Sequence, residues 1–343
     1  MSSELAPPTR TIVTGAGGWL GRALADELAG APEPVRLSVM SEAERTGVAG
    51  LAPEAEIVVG DLLGDEPFGA LLRDARGADV IHAASVIHPE DPADFQLVNV
   101  GLTRRLVDAA REAGARRVVY VSSNSPFGFN PGPRDLFRGD DAYAPWLGYG
   151  RSKMQAEIDV QGGLGDGETD FVIVRPPWFY GPFQPDRQSE FFRTIRKGLF
   201  PVVGDGRNRR SMVAVDSLAR GIRQAQLSGA ASRRGYWLSD EEPYEFRKVV
   251  ETVQQALELE GLASSRRIPR LPHAASSVAR FADRALQDRG RYSQAVHVMG
   301  ELDMNIACSP ADAVRDFGFE PATDLLDGMR RSVAWALAGG VEL

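Results

Sequence analysis

Short apolar runs alternate with stretches of helical periodicity along the first half of the chain. The first run, residues 10–13, carries β-branched side chains and predicts a buried strand. It leads into the glycine-rich segment 15–21, after which apolar residues recur at helical spacing. A strand, a glycine-rich turn and a helix in this order are typical of a dinucleotide-binding loop, and a glycine-rich turn without a ligand is the alternative. The place of this segment at the first strand favours the binding loop.

Three glycines of this segment have distinct physical roles in such a loop. Gly15 permits the tight turn, Gly18 lets the backbone approach a pyrophosphate, and Gly21 lets the helix pack closely on the strand. The free amide N–H groups and the dipole at the start of the helix favour a negatively charged ligand. The segment therefore predicts a bound dinucleotide.

Further apolar runs predict five more strands, at 35–40, 55–59, 78–84, 117–121 and 170–174. Helices are predicted between them, with one opening at 98–101 and ending at Gly114 and another spanning 147–160, followed by a flexible connection at 162–167. Because strands and helices alternate, the chain is predicted to be an α/β protein with a Rossmann-type, doubly wound parallel sheet.

The alternation becomes irregular after about residue 178, where aromatic residues and arginines accumulate. We predict a dinucleotide-binding domain at 9–178, to which a segment at about 210–240 returns. A smaller, mixed C-terminal substrate-binding portion is predicted at 179–209 and 241–343.

Composition and charge exclude several classes of partner. The 343 residues, with 43% hydrophobic and 25% charged, are ordinary for a globular protein. A formal charge of −8 without a basic stripe argues against nucleic acid, and no apolar run is long enough to predict a membrane span. The polar start of the chain predicts no secretory signal, and the single Cys308 predicts a reducing cytoplasm. The four histidines and Cys308 show no spacing typical of metal ligands, so no metal site is predicted.

The end of the second predicted strand leaves the choice of cofactor open. An acidic residue there favours NAD and a basic residue favours NADP, but the residues are Val-Met-Ser-Glu. Glu42 could reach the ribose or be a solvated loop residue. The lack of an arginine favours NAD, with NADP not excluded. His82, inside the fourth strand, is interpreted as a core histidine rather than a catalytic one.

The helix after the fifth strand carries the candidate chemistry. Tyr149 and Lys153 are four residues apart and share one helical face. A free phenol titrates near ~10, and a neighbouring cation lowers that value. Such a tyrosine can move the proton of a carbonyl or an alcohol during hydride transfer. Ser123, at the end of the fifth strand, is placed to hydrogen-bond the same oxygen.

Several motifs follow one another in a fixed order along residues 9–335. They are TGxxGxxG at 14–21, Gly-Asp-Leu at 60–62, His-Ala-Ala at 82–84, Asn99, Ser123, YxxxK at 149–153, RPxxxYGP at 175–182, and GDG…R…VD at 204–216. In this order they resemble the extended short-chain dehydrogenase/reductases, in the NAD-dependent epimerase/dehydratase or 3β-hydroxysteroid-dehydrogenase-like branch.

The resemblance implies a nicotinamide cofactor, hydride transfer at a hydroxyl or ketone carbon, and a homodimer built on helix packing. It implies Ser123, Tyr149 and Lys153 as catalytic residues. The implied cofactor-binding residues are Gly15, Gly18, Trp19, Leu20, Gly21, Asp61, Leu62, Ala83, Ala84, Ser85, Asn99, Ser122, Tyr149, Lys153 and Pro176. The implied substrate-binding residues are Ser85, Asn124, Ser125, Trp178, Phe179 and Arg210.

Departures from the family pattern reduce the range of expected reactions and substrates. Sugar-nucleotide 4,6-dehydratases carry an acidic pair after the active-site threonine, where this chain has Asn124 and Ser125, so a dehydratase is not expected. A second arginine for a diphosphate is absent from 299–308, which leaves Arg210 alone. The aromatic residues after the sixth strand could line an apolar pocket or belong to the core, and the core is the preferred interpretation.

Three functions remain open. The first is an NAD(P)-dependent oxidoreductase that interconverts a secondary alcohol and a ketone on a small molecule. The second is a sugar-nucleotide epimerase, which would use the same three residues and retain its cofactor through turnover. The third is a non-catalytic NAD(P)-binding regulator, which the intact Ser123, Tyr149 and Lys153 disfavour.

Overall fold

The apolar runs of the first half form strands, and shorter strands occur in the second half. A computed structural model describes residues 5–320 and 324–343 of the chain. The strands are β1 (Thr11–Thr14), β2 (Val35–Val39), β3 (Glu56–Val59), β4 (Asp79–His82), β5 (Arg117–Val121), β6 (Asp170–Arg175), β7 (Trp178–Tyr180), β8 (Val202–Val203), β9 (Arg209–Arg210), β10 (Met212–Ala214), β11 (Arg234–Trp237), β12 (Tyr244–Glu245) and β13 (Arg270–Leu271).

Seven of the strands in the described residues form one parallel sheet in the order β11-β6-β5-β4-β1-β2-β3. Strand β1 lies in the middle, with Thr11 paired to Val35 of β2 on one side and to Asp79 of β4 on the other. The strand order reverses between β1 and β4, and ligands of such sheets bind at the carboxyl ends of the strands at this point. The predicted Rossmann-type sheet is confirmed.

Helices cover both faces of the sheet. The helices are α1 (Trp19–Glu27), α2 (Glu42–Ala49), α3 (Asp65–Leu72), α4 (Thr103–Ala113), α5 (Leu147–Leu164), α6 (Asp186–Arg196), α7 (Val215–Leu227), α8 (Phe246–Leu259), α9 (His273–Gln287), α10 (Gln294–Glu301), α11 (Ala311–Phe317) and α12 (Leu325–Ala338). Leu24 of α1 and Leu218 of α7 are buried in one core, and Leu106 of α4 and Val160 of α5 in the other.

The second half of the chain adds a third core beside the sheet. Helices α6, α8 and α12 contribute Phe192, Val253 and Met329 to it, and β7/β10, β8/β13 and β9/β12 form small two-stranded pieces around it. These mixed pieces form the smaller C-terminal part of the α/β architecture. None of the helices in the part of the chain that the structure describes combines the length and apolar character needed to span a bilayer.

Three elements differ from the sequence-based predictions by more than one residue. Strand β4 ends at His82, two residues early, because the next residues turn toward the glycine loop. The helix predicted to open at 98–101 is preceded by a π-helical turn, Phe95–Leu102, that runs directly into α4. Helix α5 continues to Leu164, through glycines that the sequence assigned to a connection. A Cβ on Gly163 would lie 2.5 Å from Val107 Cγ1, so this glycine permits close packing of α5 on α4.

Candidate active site

The glycine loop between β1 and α1 has the shape that a dinucleotide requires. Gly15 has a φ of +72°, and a Cβ there would lie 2.8 Å from Ala84 Cα. A Cβ on Gly21 would lie 2.0 Å from the Gly15 carbonyl oxygen, so neither position accepts a side chain. Gly18 caps α1 without a capping side chain, which leaves the first amide N–H groups of the helix open to an anion. The loop therefore fits a pyrophosphate.

A buried hydrogen-bond network fixes the strand ends beside this loop. Thr14 Oγ1 accepts hydrogen bonds from the amides of Ala83 and Ala84, at 3.1 and 3.0 Å. His82 Nδ1 is joined to Thr14 Oγ1 at 2.7 Å, and its Nε2 to Thr103 Oγ1 at 3.0 Å. Burial, and then the charge of Lys153, lower the pKa of His82 to about 3. The imidazole is therefore neutral and structural.

The acidic residue nearest the glycine loop is Glu44, which the sequence analysis did not select. Its Oε2 accepts a hydrogen bond from the Met40 amide at 2.8 Å, and a Cβ on Gly17 would lie 2.1 Å from the same oxygen. Glu42 lies instead on the exposed side of α2, with its carboxylate 3.3 Å from Arg45 Nη1. The helix-capping pattern at 41–44 could have indicated Glu44 from the sequence. In this pattern Ser41 Oγ accepts from the Glu44 amide, and the Glu44 carboxylate reaches back to the Met40 amide.

Lys153 lies buried at the carboxyl end of β5. Its Nζ donates to the Val121 carbonyl at 2.8 Å and lies 4.5 Å from the centroid of the Tyr120 ring. Burial lowers the pKa of Lys153 to about 7, and the charge of Glu157, one turn further along α5, acts in the opposite direction. An ammonium has three donors, so the remaining ones are available to hydroxyl groups of a ligand.

Tyr149 lies in the first turn of α5 and its phenol faces Ser123. Burial raises the pKa of Tyr149, while hydrogen bonds with Ser123 and Ser85 and then the charge of Arg187 lower it. The sequence-based expectation was that Lys153 lowers this pKa, but its ammonium hydrogen-bonds the Val121 carbonyl. A direct action of Lys153 on the phenol therefore stays a prediction.

The segment after β5 surrounds Ser123 with small polar groups. Ser123 Oγ lies 3.3 Å from Ser125 Oγ and 3.5 Å from Asn124 Oδ1. Ser122 Oγ is buried and makes no hydrogen bond within residues 5–320 and 324–343. This unpartnered hydroxyl at the strand end fits a polar ligand lying across the sheet edge.

The side chain of Asn99 is fully hydrogen-bonded within the protein, and its expected contact with the cofactor stays a prediction. Its Oδ1 accepts from Ser85 Oγ at 3.0 Å and from the Val86 amide at 2.8 Å. Its Nδ2 donates to the Val86 carbonyl at 2.9 Å and to Ser152 Oγ at 3.0 Å. An asparagine side chain has two donors and two acceptor sites, so all are used. Asn99 is a positioning residue that holds Ser85 near Tyr149.

An aromatic wall that the sequence analysis missed extends from Tyr149 toward the C-terminal helices. We define the wall as Phe95, His88 and Tyr292. The centroid of the Phe95 ring lies 5.9 Å from that of Tyr149 and 6.0 Å from that of Tyr292. The Tyr292 hydroxyl is joined to His88 Nδ1 at 2.6 Å. No sequence pattern indicated this, because 204 positions separate the bonded pair.

The other predicted site residues occupy varied positions. Trp178 packs on Phe191 and Phe179 on Trp19, with centroid separations of 5.1 and 4.8 Å, as expected of core aromatics. The Trp19 indole donates to the Pro182 carbonyl at 2.7 Å, which ties the start of α1 to the segment after β7. Further predicted residues are Leu20, Leu62 and Pro176, which are buried, and Asp61, which is exposed with Oδ1 accepting from the Leu63 amide at 2.9 Å.

Arg210, the candidate for a substrate phosphate, is half-buried. Its Nη2 donates to the Glu301 carbonyl at the end of α10. Its Nε is buried without a hydrogen-bond partner among the described residues. The guanidinium also lies 5.9 Å from the centroid of the Phe246 ring. Arg210 therefore links β9 to α10 and retains unused donors, among them the buried Nε.

The fold and the glycine loop define a dinucleotide-binding protein of the Rossmann class. Residues 11–235 match the family described as "NAD dependent epimerase/dehydratase family". The chain belongs to this family, which is the extended branch of the short-chain dehydrogenase/reductases.

The chain is similar to curated relatives over most of its length. It is 40% identical to a Sinorhizobium fredii protein described as "Uncharacterized protein y4nL", over 96% of this chain and 95% of that one. It is 30% identical to a 4-hydroxy-2-methyl-3-oxo-4-farnesyl-3,4-dihydroquinoline-1-oxide ketoreductase of Stigmatella aurantiaca, over 79% and 78%. It is 28% identical to a 2-alkyl-3-oxoalkanoate reductase of Stenotrophomonas maltophilia, over 96% and 100%.

Solved structures share the fold at lower identity. The UDP-glucuronic acid 4-epimerase from Bacillus cereus, solved in complex with NAD, has a TM-score of 0.72 at 19% identity, over 96% of this chain and 99% of that one. Structural neighbours of the family thus bind NAD, and their likeness to this chain establishes its fold.

Proposed function

We propose that the protein is an NAD(P)-dependent oxidoreductase that interconverts a secondary alcohol and a ketone on a small molecule. The observation that carries this proposal is the placement of Ser123 just after β5, and of Tyr149 and the buried Lys153 one turn apart on α5, at the carboxyl edge of the sheet. This is the position where a cofactor bound at the glycine loop would present its reactive end.

The cofactor would be held by groups that the protein leaves unpaired. The open amides at the start of α1 would hold the pyrophosphate. The free donors of Lys153 would bind the hydroxyl groups of the nicotinamide ribose. Glu44, next to the loop, would accept from the adenosine ribose and disfavour a 2′-phosphate, so NAD is the proposed cofactor. When bound, the nicotinamide supplies or accepts the hydride.

The proton moves at Tyr149. In ketone reduction the phenol donates its proton to the substrate oxygen, and in alcohol oxidation the phenolate accepts the hydroxyl proton. Hydrogen bonds with Ser123 and Ser85 stabilise the phenolate and offset part of the cost of burial. Ser123 also orients the substrate oxygen. Asn99 maintains this arrangement by fixing Ser85.

A reductase is favoured over an epimerase or a dehydratase. Asn124 and Ser125 provide no acid–base pair for dehydration. Residues 299–308 contain no second arginine to match a diphosphate together with Arg210, and a backbone carbonyl already accepts from one of the Arg210 nitrogens. Two relatives that match most of this chain are described as a ketoreductase and a reductase.

Two measurements test the proposal. Denatured, freshly purified protein is examined by mass spectrometry for released nucleotide, since an epimerase retains stoichiometric NAD and a dehydrogenase exchanges it.

Turnover of a panel of secondary alcohols is then compared for the wild type, Tyr149→Phe and the control Tyr143→Phe. The Tyr143 phenol hydrogen-bonds the Glu157 carboxylate instead. Tyr149→Phe is expected to lose about 10⁴-fold in kcat, the upper range for acid–base catalysis, and to keep cofactor binding. Retained activity in that variant would refute the mechanism. If the wild type bound NAD but oxidised none of the alcohols, the result would favour a non-catalytic NAD(P)-binding regulator.

We also propose that the protein is a homodimer of the cytoplasm. Leu97 of the π-helical turn and Ile158 of α5 are 53% and 42% exposed, on the helices expected to pair. The single thiol, Cys308, is buried and unpaired, which suits a reducing compartment. Sedimentation of the wild type against Ile158→Lys tests the dimer, which the variant is expected to dissociate.

A further inference from the structure

Helix α5, which carries Tyr149 in its first turn, begins after a residue that cannot cap it. This residue is Trp146, whose indole has no acceptor for the first amides of the helix. The next residue, Leu147, is buried and has a φ of +53°, a strained backbone conformation for a residue with a large side chain. Such a conformation persists only where the surrounding structure holds it. The first turn of α5 therefore needs support from another part of the chain.

Gln287, the last residue of α9, provides this support from 139 positions away. Its Oε1 accepts a hydrogen bond from the Gly148 amide at 3.0 Å, which is the bond that a capping side chain normally makes. One turn earlier in α9, the Arg284 guanidinium lies 5.2 Å from the centroid of the Trp146 ring. Gln287 thus takes the place of the missing cap, and α9 packs on the start of α5.

Buried groups of α9 and α10 fix the orientation of the Gln287 side chain. Its Nε2 donates to Asp283 Oδ1 at 2.9 Å, and the other oxygen of this carboxylate lies 2.7 Å from His297 Nδ1. Both Asp283 and His297 are buried. A backbone amide donates and an ionised carboxylate accepts, so only one orientation of the glutamine amide satisfies both neighbours. We call Gly148, Gln287, Asp283 and His297 the capping chain.

The capping chain ends beside the ring of Tyr149. Tyr149 directly follows Gly148, and Phe95 packs on both residues. The centroid of the Phe95 ring lies 5.9 Å from that of Tyr149, and a Cβ on Gly148 would lie 2.9 Å from Phe95 Cδ2. A displacement of the Gly148 backbone would therefore move the Tyr149 ring against Phe95. Displacement of a reacting group by about 1 Å can cost on the order of 10²-fold in rate.

We propose that Gln287 is a positioning residue for Tyr149. By capping α5 from α9, it holds the first turn of α5 so that the phenol reaches the substrate oxygen. This inference rests on the proposed oxidoreductase function, in which that phenol moves the proton. It makes α9 and α10 part of the catalytic framework. Loss of the glutamine amide should slow turnover and leave cofactor binding intact, because the glycine loop lies between other elements, β1 and α1.

Two single substitutions test the role of the glutamine amide. Gln287→Met keeps the length of the side chain and removes its oxygen and nitrogen. The control Gln254→Met makes the same change at a buried glutamine of α8, whose Nε2 donates to the Ser265 carbonyl at 2.7 Å. Both variants lose one side-chain amide that bonds the backbone, but only Gln287→Met breaks the capping chain.

A double variant tests whether the hydrogen bonds themselves are required. Asp283→Asn combined with Gln287→Glu exchanges the carboxylate and the amide within the capping chain. The new carboxylate can accept from the Gly148 amide and from the new side-chain amide, whose oxygen can accept from His297. Every bond of the chain can thus be remade, with the direction of one bond reversed and the net charge unchanged.

Steady-state kinetics use NAD⁺ and the secondary alcohol that the wild type oxidises fastest. Gln287→Met is expected to lose about 10- to 100-fold in kcat, while KM and the Kd of NAD stay within about threefold of the wild type. Gln254→Met should keep kcat within about twofold, and the double variant should recover to within about fivefold of the wild type. Wild-type kcat in Gln287→Met, an equal loss in Gln254→Met, or a double variant no better than Gln287→Met overturns the inference.

An NMR measurement separates this inference from the proposed reaction. The chain has seven tyrosines, which are labelled with ¹³C at Cζ, and the Tyr149 signal is assigned by its loss in Tyr149→Phe. In the cofactor-free protein this signal should shift or split in Gln287→Met, stay in place in Gln254→Met, and return toward its wild-type position in the double variant. This pattern supports the inference even if no alcohol is oxidised, and the proposed reaction alone then fails. A Tyr149 signal that Gln287→Met leaves unmoved overturns the inference.

Discussion

Two clusters of buried charge lie at opposite ends of strands β4 to β6, and their bonding differs. At the amino ends, Arg117 Nε donates to Asp170 Oδ2 at 2.7 Å, and its Nη1 donates to three backbone carbonyls. Arg116 Nε donates to Asp79 Oδ1 at 2.7 Å, and Gln226 donates to the other oxygen of that carboxylate. Each charge in this amino-end cluster meets an opposite charge and several hydrogen-bond partners.

At the carboxyl ends of the same strands, buried polar groups are left partly unpaired. Within the described ranges, Lys153 has a single side-chain hydrogen bond, to a neutral carbonyl. Ser122 Oγ has no partner among the residues that the structure describes. We call these groups the carboxyl-end cluster.

The difference separates structural charges from functional ones. A buried ion pair with complete hydrogen bonding holds elements together, and removing one partner exposes the full desolvation cost of the other. An under-paired buried cation disfavours folding and persists where a ligand completes its bonding. The amino-end cluster therefore joins the sheet to α7, while the carboxyl-end cluster is arranged for a ligand.

The largest stability effect is expected at the amino-end cluster. Arg117→Met leaves the Asp170 carboxylate and three carbonyls buried without their partner, so the free energy of unfolding should fall by about 3–5 kcal/mol. Urea unfolding measures it. The control Arg111→Met removes an exposed arginine that is 3.2 Å from Asp108 and should change stability by about 0.5 kcal/mol or less. Equal effects of the two substitutions would contradict the structural role of the amino-end cluster.

The same substitution in the carboxyl-end cluster is expected to act in the opposite direction. Lys153→Met removes a buried ammonium whose only hydrogen bond is to a carbonyl, so the cofactor-free protein should become more stable by about 1–4 kcal/mol. Turnover and NAD affinity should both be lost, because the donors to the ribose disappear. The same urea experiment, with fluorescence titration of NAD, checks both results. A destabilised variant with normal NAD affinity would make Lys153 a structural residue.

The stability difference between wild type and Lys153→Met should depend on pH. Burial lowers the pKa of Lys153 from 10.5 to about 7. Between these values the unfolded chain binds the proton and the folded protein does not, so the stability of the wild type rises with pH relative to the variant. The deficit of the wild type is complete below pH 7 and shrinks toward pH 10.5. Unfolding of both proteins between pH 6 and 9.5 tests this, and a constant difference would show that Lys153 stays charged.

The sequence predicted the parts of the site that depend on local spacing. The positions of Gly15 and Gly21 follow from steric limits within one turn, and the four-residue spacing of Tyr149 and Lys153 follows from helix geometry. The wall comes from segments far apart in the chain, where single residues of common types carry no pattern.

Two further residues show a different limit of sequence reasoning. Asn99 occupied its family position, but its four hydrogen bonds become visible only when Ser85 and Ser152 are brought together. Glu44 could have been selected, because the capping pattern at 41–44 turns its carboxylate back toward the strand end. The family motif thus located the residues, and their partners defined what each one does.

The smallest effect is expected on cofactor choice at Glu44, another charged group without an ion-pair partner among the described residues, beside the glycine loop. Its carboxylate has no ion-pair partner in the described ranges and lies against Gly17, where an adenosine ribose would pass. Glu44→Gln keeps an oxygen for the Met40 amide and removes the charge. The ratio of NADP to NAD in kcat/KM should then rise about tenfold, or 1.4 kcal/mol, because a 2′-phosphate is no longer repelled. Glu42→Gln is the matched control, since that carboxylate is exposed beside Arg45. If Glu42→Gln changed the ratio and Glu44→Gln did not, the ribose would lie at Glu42, which is one of the two alternatives that the sequence leaves open for that residue. The Glu44 carboxylate at Gly17 would then serve only to cap α2.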